Sequence, residues 1–176
     1  MRKKSILLIV VITISLAVAI PVFAEYPPQG WTDSITEGIA QAEREGKMLL
    51  LDFTGSDWCV WCSKLESEVW TKPEFESWSR NNLVKVFLDF PQTISLSDEQ
   101  KLQNQLLQQY FGVKGYPTIF LLDSNLTPLL QTGYHEGGPG EYIRHLKEDR
   151  NLKVESPETF RTSFRGVIEE YIGPIG

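Results

Sequence analysis

The sequence predicts an α/β fold, in which a central mixed sheet of about four strands is flanked by helices and an extra helix lies at each end. Two largely apolar runs, 48–53 and 83–89, suit strands that are buried on both faces. Capping boxes at Ser34–Glu37 and Ser97–Gln100 mark the starts of two helices. Segments of the two kinds alternate along the chain, which is typical of a sheet with helices on both faces.

The helices are recognised by apolar residues that recur every three or four positions. Ile35 and Ile39 lie on the same face of the first helix. A second helix should begin near Cys59, and Pro73 interrupts it before a short helix around 75–78. Three later helices are expected from Ser97 to Gly112, from the end of a flexible loop at 137–140 through Leu146, and from Ser156 to Tyr171.

Two further strands are expected at 118–122 and 128–132, joined by a turn at 123–125. Pro128 has no N–H to give to a neighbouring strand, so its strand should lie at an edge of the sheet. The order of elements is then β-α-β-α-β-β-α, with one helix added before it and one after it.

The N-terminus has the pattern of a secretory signal. Met1–Lys4 is positively charged, Ser5–Phe23 is almost wholly apolar, and Ala24 is a small residue where a signal peptidase would cleave. We therefore expect a signal peptide at 1–24 and an exported protein, either periplasmic or extracellular. An uncleaved membrane anchor is the alternative, because the apolar run approaches the length that spans a bilayer.

The rest of the chain divides into a main domain, 25–150, and a C-terminal helical extension, 151–176, that packs on it. Without the N-terminal segment, 14 basic residues remain against 23 acidic ones, a net charge of −9. Such an acidic chain does not suit nucleic acid, whose phosphates attract a basic surface. The 152 residues that follow the N-terminal segment leave no room for an added dimerisation domain, so we expect a monomer.

The chain has two cysteines, Cys59 and Cys62, and their spacing allows three interpretations. A structural disulfide is a weak one, because so short a loop restricts the unfolded chain very little. A structural zinc site needs four ligands, and the chain has no further cysteine. His135 and His145 are distant in sequence and are expected at the surface. We therefore predict no metal and no cofactor beyond a redox-active Cys59–Cys62 disulfide.

Redox chemistry needs two thiols with different roles. Cys59 is expected at the N-terminus of a helix, where the helix dipole and free N–H groups stabilise a thiolate and lower its pKa. Cys62 lies about one turn further on, within reach of Cys59. We therefore expect Cys59 to attack a partner disulfide and Cys62 to resolve the mixed disulfide.

Three segments together resemble the thioredoxin superfamily: Leu51–Phe53, Trp58–Cys62 and Gly115–Thr118. The chain is most similar to exported thioredoxin-like proteins with a Trp-Cys-x-Trp-Cys motif, over roughly 34–146. The resemblance implies a thioredoxin-like fold for the main domain and thiol–disulfide exchange as its activity.

The resemblance also implies a substrate-binding surface. Pro117 matches the cis-proline that faces the dithiol, and the backbone before it pairs with the substrate chain. Tyr116 would then influence substrate choice, with simple packing beside the sheet as the alternative. Trp58 matches the tryptophan that flanks the attacking cysteine. Trp61 is expected near the surface, as an aromatic that docks a partner or covers the disulfide.

The resemblance further implies a buried acid that accepts the proton of the resolving thiol. Asp52 matches that acid and Lys85 matches the lysine beside it, but Asp52 lies seven residues before Cys59, one more than is usual. Asp57 is therefore the alternative acceptor. We count Cys59, Cys62 and Asp52 as the predicted catalytic residues.

The predicted activity is that of a protein-disulfide reductase. Trp61 stands where strongly oxidising relatives carry a histidine, so it supplies no cation to a Cys59 thiolate. The substrates would be protein thiols and disulfides, and the electrons would come from a membrane thiol carrier. One alternative is a disulfide oxidase or isomerase. The other is a non-catalytic, chaperone-like module that holds peptide on Trp58, Trp61 and Tyr116.

Overall fold

The structure is a computed structural model that describes residues 26–175. The signal peptide or anchor predicted at 1–24 lies outside the described residues. Within the described part, no helix combines the length and the apolar character needed to cross a membrane.

The predicted order of elements is confirmed. The helices are α1 (Ile35–Glu45), α2 (Val60–Leu65), α3 (Pro73–Asn82), α4 (Asp98–Tyr110), α5 (Gly138–Glu148) and α6 (Pro157–Tyr171), with a π-turn at Glu66–Trp70 after α2. The strands are β1 (Met48–Thr54), β2 (Leu83–Asp89), β3 (Thr118–Leu122) and β4 (Pro128–Thr132).

The four strands form one mixed sheet in the order β2-β1-β3-β4. β1 runs parallel to β2 and antiparallel to β3, and β3 runs antiparallel to β4. The predicted α/β fold with a central mixed sheet is therefore confirmed, and Pro128 does lie in an edge strand.

Each face of the sheet has its own hydrophobic core because successive strand side chains point to opposite faces. Leu49, Leu51 and Phe53 of β1 pack with α1, α4 and α6, and Phe164 of α6 is fully buried there. Leu50 packs on the other face with α3, α5 and the π-turn. The C-terminal helix thus covers one face, while the second face carries the functional residues described below.

Three boundaries differ from the prediction. α5 begins at Gly138, inside the loop expected at 137–140, because Pro139 suits the first turn of a helix. α2 does not continue as a regular helix, because Thr71 N–H donates to the Glu66 carbonyl, five residues back, and closes the π-turn. α3 begins at Pro73, which suits the first position of a helix, and extends to Asn82 rather than ending near 78. Only Phe75 and Ser79 of α3 are buried. The second half of the helix is therefore polar and lacks the apolar pattern from which its length could be predicted.

The two edge strands of the sheet, β2 and β4, each form hydrogen bonds with a segment outside the sheet. Along β2, Thr32 N–H donates to the Lys85 carbonyl at 3.0 Å, and Phe87 N–H donates to the Thr32 carbonyl at 2.8 Å. Along β4, the side-chain amide of Asn151 bonds both backbone groups of Gln131, at 2.7 and 2.8 Å. Segments outside the sheet therefore occupy the middle of each edge.

Candidate redox site

Cys59 and Cys62 form a disulfide at the start of α2, with their Cα atoms 5.2 Å apart. Cys59 is the N-cap residue, as predicted, and its Sγ accepts the N–H of Cys62 at 3.2 Å. Both cysteines are 5% exposed. The sulfur at position 59 thus lies where the free N–H groups of a helix stabilise negative charge.

Trp58 lies beside the disulfide in a fixed orientation. Its indole N–H donates to the Phe90 carbonyl at 2.8 Å, and its ring meets the ring of Tyr116 edge-on at 5.7 Å. A Cβ at Gly55 would lie 2.6 Å from this indole, so the glycine makes room for it. The loop before the disulfide therefore holds a 43% exposed tryptophan against Tyr116.

Tyr116 and Pro117 are joined by a cis peptide bond, which confirms the predicted isomer. The hydroxyl of Tyr116 accepts a hydrogen bond from Gln108 at 2.6 Å, and its ring packs on Phe90 at 5.1 Å. Tyr116 is nevertheless only partly buried. It therefore combines packing beside the sheet with an accessible position next to Trp58.

A second aromatic pair is formed by Trp61 and Tyr134, with ring centroids 5.3 Å apart. Lys64 lies over the ring of Tyr134 at 4.7 Å, and the Tyr134 hydroxyl donates to Glu68 at 2.6 Å. Trp61 is 54% exposed. Tyr134 was not predicted from the sequence, because it comes from the loop after β4, and only its place beyond an edge strand could have suggested it.

Asp52 lies on the face of β1 that turns toward α2 and the π-turn, and it is buried. Trp70 donates its indole N–H to Oδ2 at 3.0 Å, while Oδ1 has no hydrogen-bond partner among residues 26–175. Burial raises the pKa of Asp52 to about 7, and Asp89 and Glu66 add to the rise by repulsion. Asp52 thus titrates near neutral pH.

A cavity of about 170 Å³ reaches both Asp52 and Cys62. Its lining includes Pro28, Trp31, Asp52, Cys62, Glu66 and Trp70. The segment before α1 therefore closes over the side of the disulfide that carries Cys62. The structure brings the predicted acid and the predicted resolving cysteine to one cavity.

Asp57 has a different environment. Its carboxylate accepts the backbone N–H groups of Gln92, Thr93 and Ile94 and the hydroxyl of Thr93, at 2.5 to 3.2 Å. These hydrogen bonds, led by that of the Thr93 side chain, hold the pKa of Asp57 well below its usual range. Asp57 therefore fixes the loop after β2 and remains ionised.

Lys85 lies on the same face as Asp52, but its ammonium group does not pair with that acid. Its Nζ is 4.8 Å from the ring centroid of Trp31, and burial lowers the pKa of Lys85 to about 8. Lys85 thus contacts Trp31 in the segment before α1 instead of Asp52. The sequence alone did not indicate this contact.

The prediction that His145 lies at the surface is wrong. Its ring is buried between β4 and α5, where Nε2 lies 2.8 Å from the Thr132 hydroxyl and Nδ1 bonds Asp149. His135 is exposed, as predicted, and stacks on His145 at 4.9 Å. The one-turn spacing of His145 and Asp149 on a helix could have indicated their pairing.

The chain is similar to several known proteins. Residues 30–124 match the family described as thioredoxin-like. The disulfide bond reductase DsbH of Chlamydia pneumoniae is 31% identical over 121 residues, which cover 69% of this chain and 73% of that protein. A solved structure of a DsbH oxidoreductase matches 76% of this chain and 90% of its own, with a TM-score of 0.64 and 30% identity. A thioredoxin from Thermus thermophilus has the same fold, with a TM-score of 0.50, 17% identity, and 67% and 84% coverage.

Proposed function

The chain belongs to the thioredoxin-like family, and from that premise we propose that it is a thiol–disulfide oxidoreductase that reduces the disulfides of partner proteins. The Cys59–Cys62 disulfide at the N-terminus of α2 is the observation that carries this proposal. A relative that is 31% identical over 121 residues is named a disulfide bond reductase, which supports the direction.

In the reducing cycle, the Cys59 thiolate attacks one sulfur of the client disulfide. A bond forms between Cys59 and that sulfur, and the other client sulfur leaves as a thiolate. The Cys62 thiol then loses its proton, and its sulfur attacks Cys59 Sγ. The mixed disulfide breaks, the second client thiolate leaves, and two electrons have passed from Cys59 and Cys62 to the client.

We assign the proton of Cys62 to Asp52. A general base is most effective when its pKa is close to the working pH, and burial raises the pKa of Asp52 to about 7. Asp52 and Cys62 also share the cavity beneath the disulfide. The competing acid, Asp57, is fully engaged by the 92–94 backbone and keeps its proton only in strong acid, which supports Asp52 over Asp57.

The proposed client surface consists of two aromatic pairs beside the disulfide, Trp58 with Tyr116 and Trp61 with Tyr134. A client segment would lie between them, with its backbone beside Pro117. Three of the four rings are held by hydrogen bonds, so little side-chain freedom is lost on binding. Exposed aromatic groups suit the apolar segments of incompletely folded proteins.

The proposed setting is outside the cytoplasm, because the 1–24 segment has the pattern of a signal peptide. A reductase in that compartment needs a supply of electrons, since disulfides persist there. We propose that a membrane thiol carrier reduces the Cys59–Cys62 disulfide after each cycle, and that the protein acts as a monomer.

Reduction of insulin disulfides by dithiothreitol tests the activity. The wild-type chain should accelerate the reaction, and Cys59→Ser should abolish the acceleration. Cys62→Ser should accumulate a mixed disulfide through Cys59, which non-reducing electrophoresis detects. Equal rates for the wild-type chain and Cys59→Ser would contradict the proposal and favour the peptide-binding module.

The direction is tested by the equilibrium potential of the Cys59–Cys62 pair against glutathione. A value near that of thioredoxin, about −270 mV, supports a reductase, while one near about −120 mV indicates an oxidant. The client surface is tested by Trp61→Ala, which should slow insulin reduction but not the reduction of a small aromatic disulfide. Val60→Ala, at a 77% exposed neighbour, is the matched control.

A further inference from the structure

The two oxygens of the Asp52 carboxylate have different surroundings. Oδ2 accepts the indole N–H of Trp70 at 3.0 Å. Oδ1 is buried and has no hydrogen-bond partner among the residues that the structure describes. A buried acceptor without a partner is uncommon and costs stability, so the arrangement calls for a functional explanation.

Trp70 reaches Asp52 because of the π-turn. Val69 and Trp70 are consecutive and both buried, which the wider turn allows. Three rings surround the indole: Phe75 at 4.6 Å, Tyr142 at 5.0 Å and Trp31 at 5.7 Å. These contacts hold the indole with its N–H toward Asp52. Single π-turns within helices are frequent at functional sites.

We propose that Trp70 is a positioning residue that holds the Asp52 carboxylate by Oδ2 and so leaves Oδ1 free to take the proton of Cys62. This inference rests on the function proposed above. In the step concerned, the Cys62 S–H bond breaks, its proton passes to Oδ1, and its electron pair forms the bond to Cys59 Sγ. The departing client thiolate carries away the electrons of the mixed disulfide bond.

The hydrogen bond also sets the charge state of the acid. An N–H donor favours the ionised carboxylate and opposes the effect of burial, so its loss should raise the pKa of Asp52 further. The other ionisable groups around the acid are Asp89 on β2, Glu66 on the π-turn, Tyr142 on α5, Glu76 in the lining of the cavity, and Lys85 on β2 near Glu76. Asp89 and Glu66 repel the ionised carboxylate, whereas the hydrogen bond from Trp70 stabilises it.

The test uses the disulfide form, in which no thiol titrates. The Asp52 carboxyl carbon is followed by NMR against pH in the wild-type chain, in Trp70→Phe and in Trp78→Phe. Trp70→Phe keeps an apolar ring but removes the donor, so the midpoint should rise by about one to two pH units. Trp78→Phe changes a partly buried tryptophan of α3 and should leave the midpoint unchanged. An unchanged midpoint in Trp70→Phe overturns the inference.

A kinetic readout separates positioning from simple packing. Release of client from the mixed disulfide should slow about five- to fiftyfold in Trp70→Phe at pH 7, because the ionised fraction of Asp52 falls by that factor, and it should recover as the pH rises. A packing defect would lower the rate equally at every pH, and that result counts against the inference. Both outcomes differ from a failure of the proposed function, in which the wild-type chain itself does not reduce insulin.

A wild-type measurement decides the matter even if Trp70→Phe does not fold. The indole N–H resonance of Trp70 should move with pH at the Asp52 midpoint, because its acceptor changes charge. Asp52→Asn should abolish this movement. A Trp70 resonance that does not follow the Asp52 titration would refute the inference.

Discussion

Replacing Asp52 by asparagine should raise the free energy of unfolding at neutral pH and leave it nearly unchanged near pH 4. Burial raises the pKa of Asp52 from 3.8 to about 7 in the folded protein. Each pH unit between the unfolded and folded values corresponds to about 1.4 kcal/mol. Ionisation of the buried acid therefore lowers the free energy of unfolding by about 4 kcal/mol, and asparagine removes that loss.

The pH range follows from the direction of the change. Below about pH 4 the carboxyl binds its proton in both states, so it adds no pH dependence. Between about pH 4 and 7 the unfolded chain has released the proton while the folded chain keeps it, and stability falls as the pH rises. Above about pH 7 both states are ionised and the difference is constant.

Urea unfolding of the disulfide form, followed by tryptophan fluorescence from pH 4 to 8.5, measures the effect. The difference between Asp52→Asn and the wild-type chain should grow by about 4 kcal/mol across this range. Asp57→Asn is the matched control. Hydrogen bonds lower the pKa of Asp57, so the stabilisation that its ionised carboxylate gives is lost only as the pH falls below about 5. The stability difference between Asp57→Asn and the wild-type chain should therefore stay constant from pH 5 to 8. A flat Asp52→Asn difference would refute our account of the buried acid.

Two further substitutions test the packing. Gly55→Ala places a Cβ 2.6 Å from the Trp58 indole and should cost about 1–3 kcal/mol in urea unfolding, with slower insulin reduction. Gly166→Ala, where the added Cβ meets nothing within 4 Å on α6, should instead stabilise by about 0.5–1 kcal/mol, and equal effects would contradict the steric argument. Phe164→Ala should cost about 3–5 kcal/mol because the ring is fully buried, whereas Tyr171→Ala, at a half-exposed residue on the same helix, should stay within about 0.5 kcal/mol. Similar losses for both would show that α6 does not pack on the sheet as described.

The sequence was sufficient where one local signal determined the structure. The capping serines at 34 and 97 start helices as predicted, and Pro128 lies in an edge strand. Cys59 caps α2 because the helix has to begin between Gly55, which follows β1, and Leu65, which packs in the core. Resemblance then indicated the place of Asp52 and the isomer of Pro117.

The remaining features depend on contacts between distant segments. Trp70 lies 18 residues after Asp52, and the packing of the π-turn on the sheet makes them neighbours. Lys85 turns to Trp31 because the segment before α1 folds back over β2, and no periodic pattern encodes that path. Tyr134 meets Trp61 because β4 ends beside α2. Such pairings are fixed by tertiary packing, which local propensity does not describe.

The occupied edges of the sheet have a consequence for the proposed reduction of incompletely folded clients. An outer strand with free backbone groups can recruit another extended chain and template aggregation. Here Thr32 lies along β2, and the amide of Asn151 imitates a strand residue beside Gln131 of β4. If the proposed function holds, an unfolded client would find the middle of both edges already hydrogen-bonded. The proposed client surface of Trp58, Tyr116, Trp61 and Tyr134 would then be the favoured place of contact, and a client held there without strand pairing would be easier to release after exchange.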